Sequence, residues 1–334
     1  MKAVKVPLKQ LNDIRIDLME KEIMRKDYKI KTMNGFGYIP ILYEGHDLDL
    51  EIVDVQLDEL KVYPKDFTDL LDSKLSNEES KKLRTSFDTI GDVVILEIPE
   101  ELENKKIEIG EAALTFTKRK SVYMKKSAVH GETRIRDLEL LAGEDEPVTI
   151  HKEHGTRLKL NVKEVYFSPR LATERKRVAD SVKDGEKILD MFCGIGPFPF
   201  VIAKDKKVDI TACDINESAI YYLNENIKLN KSEGTVKGIC SDVRKVNLED
   251  KFDRIIMNLP GLAYQFLDLA FKYIADNGII NYYEFSDNYT QGIERLEQMA
   301  LKENKKIEIL NTRKVKSTSP GMWHISIDCK VLKK

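Results

Sequence analysis

The stretch Ile188-Leu189-Asp190-Met191-Phe192-Cys193-Gly194-Ile195-Gly196-Pro197-Phe198 decides the fold. An apolar run ends in an acid, passes through Gly-x-Gly and re-enters apolar sequence at a proline. Glycines supply backbone angles closed to other residues and let a ligand approach the main chain. A proline after the second glycine suits the first turn of a helix. The stretch therefore reads as strand, tight loop, helix. Downstream the same alternation repeats, with strands expected at 187–192, 208–214, 236–241, 253–258 and 278–285. Helices are expected at 168–182, 217–229, 262–275 and 289–302. This is the pattern of an α/β, doubly wound, mostly parallel sheet. Two closing strands, 305–315 and 323–331, would form a hairpin at one sheet edge.

Upstream the pattern is different. Residues 1–65 read as a small α+β domain, with a helix over 8–23 carrying Leu11, Ile14 and Leu18 at helical spacing, and strands near 38–42 and 51–57. Residues 61–82, rich in charge and holding Pro64, Ser73 and Ser76, read as a linker with a short helix. Strands at 92–98, 121–129, 148–151 and 158–165 with a helix over 101–116 give a second α+β domain. The expected organisation is thus 1–65, 66–165 and 166–334.

Composition narrows the class. Of 334 residues, 42% are hydrophobic and 34% charged, as in ordinary globular proteins. No apolar run approaches the ~18 residues that cross a bilayer, and Met1–Pro7 lacks the apolar core of a secretory signal. The cysteines Cys193, Cys213, Cys240 and Cys329 are scattered, which reads as a reduced cytoplasmic protein without a disulfide framework. The five histidines show no metal-ligand spacing, so no metal is expected. Net charge is −2, but its distribution is uneven. Acids crowd Glu44–Glu59, and Lys118, Arg119, Lys120, Lys125, Lys126, Arg134 and Arg136 face Glu132 alone. Such a basic stripe suits phosphate binding, and equally suits a solvated strand face.

The ends of four strands carry the chemistry. Asp190 closes the first. Asp214-Ile215 closes the second, twenty residues after Gly194, where an acid accepts hydrogen bonds from ribose hydroxyls. Asp242-Val243 closes the third, suited to an adenine amine, and Asn258-Leu259-Pro260 closes the fourth. The sixth position of a dinucleotide GxGxxG is Pro199 here, so a nucleoside without a diphosphate is expected, namely S-adenosyl-L-methionine. Singly, Asp214, Asp242 and Asn258 would pass as helix caps. Their convergence on one crevice favours the cofactor.

From Asp88 onward the chain resembles the archaeal and eukaryotic-type tRNA guanine-37 N1-methyltransferases. The resemblance is carried by Asp88-x-Ile90-Gly91-Asp92, Gly131-Glu132-x-Arg134-Ile135-Arg136-Asp137, Ile150-His151-Lys152-Glu153, Tyr166-Phe167-Ser168-Pro169-Arg170-Leu171, Glu174-Arg175, the glycine loop and Asn258-Leu259-Pro260. Residues 1–65 resemble the family's N-terminal domain loosely. The resemblance implies a class I (Rossmann-like) methyltransferase domain behind two smaller α+β domains, acting on the anticodon stem-loop and outer corner of tRNA. No membrane attachment is expected, and no obligate protein partner is evident in the sequence. The resemblance makes Glu174 the general base, Arg134 the group near guanine O6 and Asn258 the target-positioning amide. Tyr166, Phe192, Asp214 and Asp242 fall at cofactor positions, with Asp190, Gly194, Gly196, Ile215, Val243 and Asn258 beside them. Substrate contacts are expected from Lys125, Lys126, Arg136, Arg170 and Pro260. Gly261 stands where many archaeal members have lysine.

N1 of neutral guanine carries a proton, so its methylation needs a base, in-line positioning and stabilisation of charge on O6. Spacing alone also allows Glu174 a surface ion pair with Arg170, four residues earlier. Three other functions fit parts of the pattern. Aminocarboxypropyl transfer in wybutosine synthesis differs around 168–174. Exocyclic-amine methylation favours Asn-Pro-Pro-aromatic, which Leu259 and Gly261 do not match. A non-catalytic RNA-binding protein would not need the intact loop, Glu174 and Asn258 together.

Overall fold

The computed structural model of the chain describes residues 1–42, 49–60, 64–71, 74–127, 131 and 135–333. Arg134, Glu132, the 128–130 end of one expected strand, and Glu44 and Asp47 of the acidic run lie outside the described residues. Packing divides the chain into two units, Met1–Lys65 and Asp66–Lys334.

In the first unit β1 (Lys2–Pro7) lies inside a sheet of order β2-β3-β1-β4, with β2 (Lys31–Met33), β3 (Phe36–Pro40) and β4 (Ile52–Asp54). Helix α1 (Leu11–Glu20) buries Leu18 in the core with Val4, Val6 and Ile39. The strand β1 goes unseen in sequence because its lysines break the apolar run, although Ala3, Val4 and Val6 are buried. Those lysines meet the acidic run: Lys5 pairs with Glu51 at 2.9 Å and Lys2 with Asp54 at 2.6 Å.

The second unit begins with what sequence reads as a linker. There the short helix α2 (Asn77–Lys82) starts in a capping box of Ser76 and Glu79. Phe67, Leu71, Leu75 and Leu83 nevertheless join one core with α3 (Lys106–Thr117), so this segment is packed structure. Charge hides it, since only these apolar side chains turn inward. A sheet of order β5-β6-β7-β8 follows, from Asp88–Ile90, Val93–Leu96, Ser121–Lys125 and Leu138–Gly143. β6 and β7 are parallel with α3 as the crossover. The ribbon β9 (Val148–Glu153) and β10 (Thr156–Asn161) stands apart. At the expected border near 165 packing is continuous: Ile95, Tyr123, Leu160 and Val165 share a cluster with Ile195, Phe200 and Leu223.

The large sheet has the order β13-β12-β11-β14-β15-β17-β16. Its strands are β11 (Lys187–Asp190), β12 (Asp209–Asp214), β13 (Thr235–Cys240), β14 (Phe252–Met257), β15 (Ile274–Ser286), β16 (Lys305–Ser319) and β17 (Met322–Lys333). The first five run parallel, and β17 pairs antiparallel with both β15 and β16. Helices α4 (Ala172–Ser181), α5 (Pro197–Ala203), α6 (Glu217–Leu229), α7 (Leu267–Tyr273) and α8 (Thr290–Lys302) complete the unit. This is a class I methyltransferase fold. The strand order reverses between β11 and β14, and a crevice opens at the carboxyl ends there, as in other doubly wound sheets.

Two asparagines, one on α6 and one at its C-terminal cap, close the open edge of β10. Asn226 accepts from the Lys159 amide at 2.7 Å and donates to the carbonyls of Lys159 and Ile195, each at 3.2 Å. Asn230, one turn on, accepts from the Arg157 amide at 2.8 Å and donates to its carbonyl at 2.7 Å. A carboxamide carries the donor and acceptor of a peptide group, so the pair acts as a neighbouring strand would. Asn226 also ties the ribbon to the glycine loop. Asn226→Leu strands buried peptide groups at about 1–3 kcal/mol each, and the expected loss is roughly 2–4 kcal/mol by urea unfolding. A variant within about 0.5 kcal/mol of the parent would contradict this role.

Candidate active site

The crevice holds about 270 Å3. Gly194 (φ +54°) and Gly196 (φ +85°) are both left-handed but do different work. A Cβ on Gly194 would have the Tyr166 carbonyl oxygen, 3.8 Å off, as its nearest neighbour, so this side stays open to a ligand. A Cβ on Gly196 would meet the Phe200 ring at 2.7 Å, so this glycine serves helix packing and does not line the crevice.

Asp214 accepts from the amides of Gly194 at 2.7 Å and Asn216 at 2.9 Å, and burial raises its carboxyl above the usual range. Asp190, 1% exposed, lies behind the loop. Its Oδ1 accepts from the Phe192 amide at 3.3 Å and its buried Oδ2 has no partner. Burial first, then the neighbouring Asp214, push its carboxyl up to about 8. Asp242 caps the 243–245 turn and is held by the Arg244 guanidinium, which lowers its pKa. Asp242 is thus a cap that also lines the crevice. Asn258 lines the crevice and its buried Oδ1 has no partner. Tyr166, Phe192, Ile215, Val243 and Pro260 complete the wall, with Phe192 set edge-on to Phe266 at 4.9 Å. An open glycine edge, a carboxylate fixed by two amides and an unmatched amide oxygen over apolar walls fit the nucleoside that the sequence leads one to expect.

Other expected residues stand elsewhere. Glu174 is 2% exposed and does not line the crevice. Its carboxylate accepts from Arg177 at 2.7 and 3.0 Å and from the Tyr283 hydroxyl at 2.8 Å. Arg170 pairs instead with Asp88, at 2.5 Å. Tyr283 packs against Phe198 and His324, which both line the crevice, so Glu174 sits one layer behind its wall. Arg134 lies outside the described residues.

Part of the basic stripe is answered from within. Lys126 meets Glu103 at 3.0 Å and Glu139 at 3.4 Å. Lys125 lies 3.4 Å from Glu97, and its pKa is lowered by burial and then by Arg136, Arg170 and Lys316 around it. Lys316 lines the crevice, and the buried Nε of Arg136 has no partner. A cationic cluster thus stands beside the crevice. Lys316 is missed in sequence because it lies on a closing hairpin strand, far along the chain. His324 is missed for the same reason, while Phe167 and Arg175 stand in the quoted motifs beside Tyr166 and Glu174 without being singled out for the wall they line.

This fold and crevice define an S-adenosylmethionine-type methyltransferase. The description "TRM5/TYW2 methyltransferase domain" matches residues 149–310, "TYW2 N-terminal domain" residues 67–146, and "tRNA methyltransferase 5 N-terminal domain" residues 3–48. The tRNA (guanine(37)-N(1))-methyltransferase Trm5b of Pyrococcus abyssi is 44% identical over 333 residues, 98% of each chain, and its crystal structure superposes with a TM-score of 0.81 over 99% of each. A structure titled as a complex of aTrm5 and tRNALeu gives 0.82 at 37% identity, again over 99% of each chain. A tRNA(Phe) (4-demethylwyosine(37)-C(7)) aminocarboxypropyltransferase of Methanocaldococcus jannaschii is 37% identical, over 73% of this chain and 97% of its own length. The chain belongs to the tRNA (guanine(37)-N(1))-methyltransferase family.

Because Asp190 has its carboxyl raised in the folded state, its contribution to stability is complete below its ordinary pKa of 3.8 and is lost as pH rises through about 8. Asp190→Asn keeps an acceptor for the Phe192 amide and cannot ionise. The melting temperature of the parent should fall relative to this variant from about pH 5 to about pH 8. A constant difference across that range would contradict the buried, raised carboxyl.

Proposed function

We propose that this chain transfers a methyl group from S-adenosyl-L-methionine to N1 of guanine 37 in the anticodon loop of tRNA. The observation that carries the reading is a nucleoside-sized crevice, with the unmatched Asn258 oxygen in it and the Lys125, Arg136, Arg170 and Lys316 cluster beside it. Relatives named for the N1 reaction match the chain end to end, whereas the aminocarboxypropyl relative has no counterpart for about a quarter of it. Residues 1–65 take the outer corner of the tRNA, and 66–165 with 166–334 take the stem-loop and cofactor. The enzyme acts in the cytoplasm without an obligate protein partner.

When bound, the cofactor supplies an electrophilic methyl group. Asp214, fixed by two amides, has acceptor capacity left for ribose hydroxyls. Asp242 takes the adenine amine alongside Arg244, and the apolar wall of Tyr166, Phe192, Ile215 and Val243 excludes water. Asn258 and Pro260 orient the guanine, and a base already out of a duplex costs little to bring into a pocket. Arg134 stabilises charge on O6. Glu174 removes the N1 proton once RNA entry shifts its carboxylate off Arg177 toward the crevice.

Glu174→Gln should lower the single-turnover rate about 10²–10⁴-fold while cofactor affinity holds. Rates within a few-fold of the parent would return Glu174 to a purely structural role. In the same assay, tRNA carrying inosine at 37 keeps the N1 proton and O6 and should be methylated, slowed by any pocket group left unpaired. Adenine at 37 should abolish turnover. Methylation of the adenine tRNA at parental rate would contradict the N1 reading.

A further inference from the structure

A second concavity, about 720 Å3, lies between the β5–β6 turn and the β9–β10 ribbon and shares no lining residue with the crevice. The turn is pinned to the ribbon: the Asp92 amide donates to Thr149 Oγ1 at 2.9 Å, and the Gly91 amide to His151 Nδ1 at 3.4 Å. The groove is therefore a built surface. Five cations line it against the acids Asp92 and Glu146. Two of the five are answered, Arg119 by Asp92 at 3.8 Å and Lys159 by Glu225 at 3.5 Å. Lys120, Lys152 and Arg157 are exposed and have no carboxylate partner among the described residues.

Lys152 and Arg157 are also direct cross-strand partners. Like charges placed opposite on a ribbon repel, and a sheet gains nothing from the arrangement unless an anion lies between them. Ile150, 42% exposed in the same groove, offers apolar surface to a sugar or base edge. The groove and the crevice are two sides of one wall. His151 of the groove lies 5.0 Å from the ring of Phe167, which lines the crevice and is covered by the Arg175 guanidinium at 5.2 Å.

We propose that this groove binds the phosphodiester backbone of the RNA substrate, with Lys120, Lys152 and Arg157 each neutralising a phosphate. The inference rests on the reading that the substrate is tRNA. The test is the double variant Lys152→Gln/Arg157→Gln in the full chain, read as equilibrium binding of unmodified tRNA across a salt series. Lys81→Gln/Lys82→Gln on α2 serves as a control of equal charge change. Removing two phosphate contacts should weaken tRNA binding about tenfold near 0.1 M salt and reduce the slope of log K against log salt by about 1.5. Cofactor affinity should stay at the parental value, and the α2 control should leave the slope in place. An unchanged slope and affinity, or an equal effect from the control, would overturn the groove as an RNA site. Binding is read separately from turnover, so a parent protein that binds tRNA through this groove without methylating it would sink the methyltransferase reading alone.

Discussion

The crevice depends on one carboxylate. Asp214 takes the amides of Gly194 and Asn216, which fixes the glycine loop against the end of β12. Asn216 in turn caps α6, its Oδ1 accepting from the Ser218 and Ala219 amides, and its side-chain Nδ2 donates to the Glu164 carbonyl at 2.9 Å. Further along α6, Asn226 reaches the Ile195 carbonyl inside the same loop. The loop, the helix and the segment leading to Tyr166 are therefore held by polar links through Asp214, Asn216 and Asn226. Such links are stiff and directional, which suits a site that must aim a methyl group.

A second polar system runs beneath the site. Arg177 joins Glu174 to Asp328, Asp328 accepts from Asn281, and Arg254 bridges Asn281 to Glu186. Three strands and α4 are tied by it, and several members are nearly fully buried. Buried charges of this kind do not add much net stability, because desolvation offsets their attraction. They do make the position of each member depend on the others. The carboxylate proposed as base is therefore set by residues from both ends of the domain.

Much of this was legible in sequence, for reasons that are local. The parallel sheet shows because buried strands read as apolar runs, and the glycine loop shows because its φ values exclude other residues. Asp214, Asp242 and Asn258 announce themselves at strand ends. What failed was tertiary. Strand β1 is hidden by lysines that pair with acids some fifty residues away. Residues 61–82 look like a linker with a short helix because charge outweighs the few apolar side chains that turn inward. That Lys126 of the basic stripe is paired does not show in sequence, because Glu103 and Glu139, distant from one another in the chain, meet it only in the fold. Lys316 and His324 reach the wall only through the hairpin that closes the sheet. Gly194 and Gly196 read alike in sequence, and spacing does not carry that a Cβ on the second would meet the Phe200 ring.

The central claim is that this crevice directs a methyl group to one ring nitrogen of one tRNA guanine. It is tested most directly by incubating an unmodified tRNA transcript with the protein and isotope-labelled S-adenosylmethionine, then mapping the label by nuclease digestion and mass spectrometry. The account predicts a single labelled product, 1-methylguanosine at position 37. Label recovered as N2-methylguanosine, or as a transferred aminocarboxypropyl group, would contradict it.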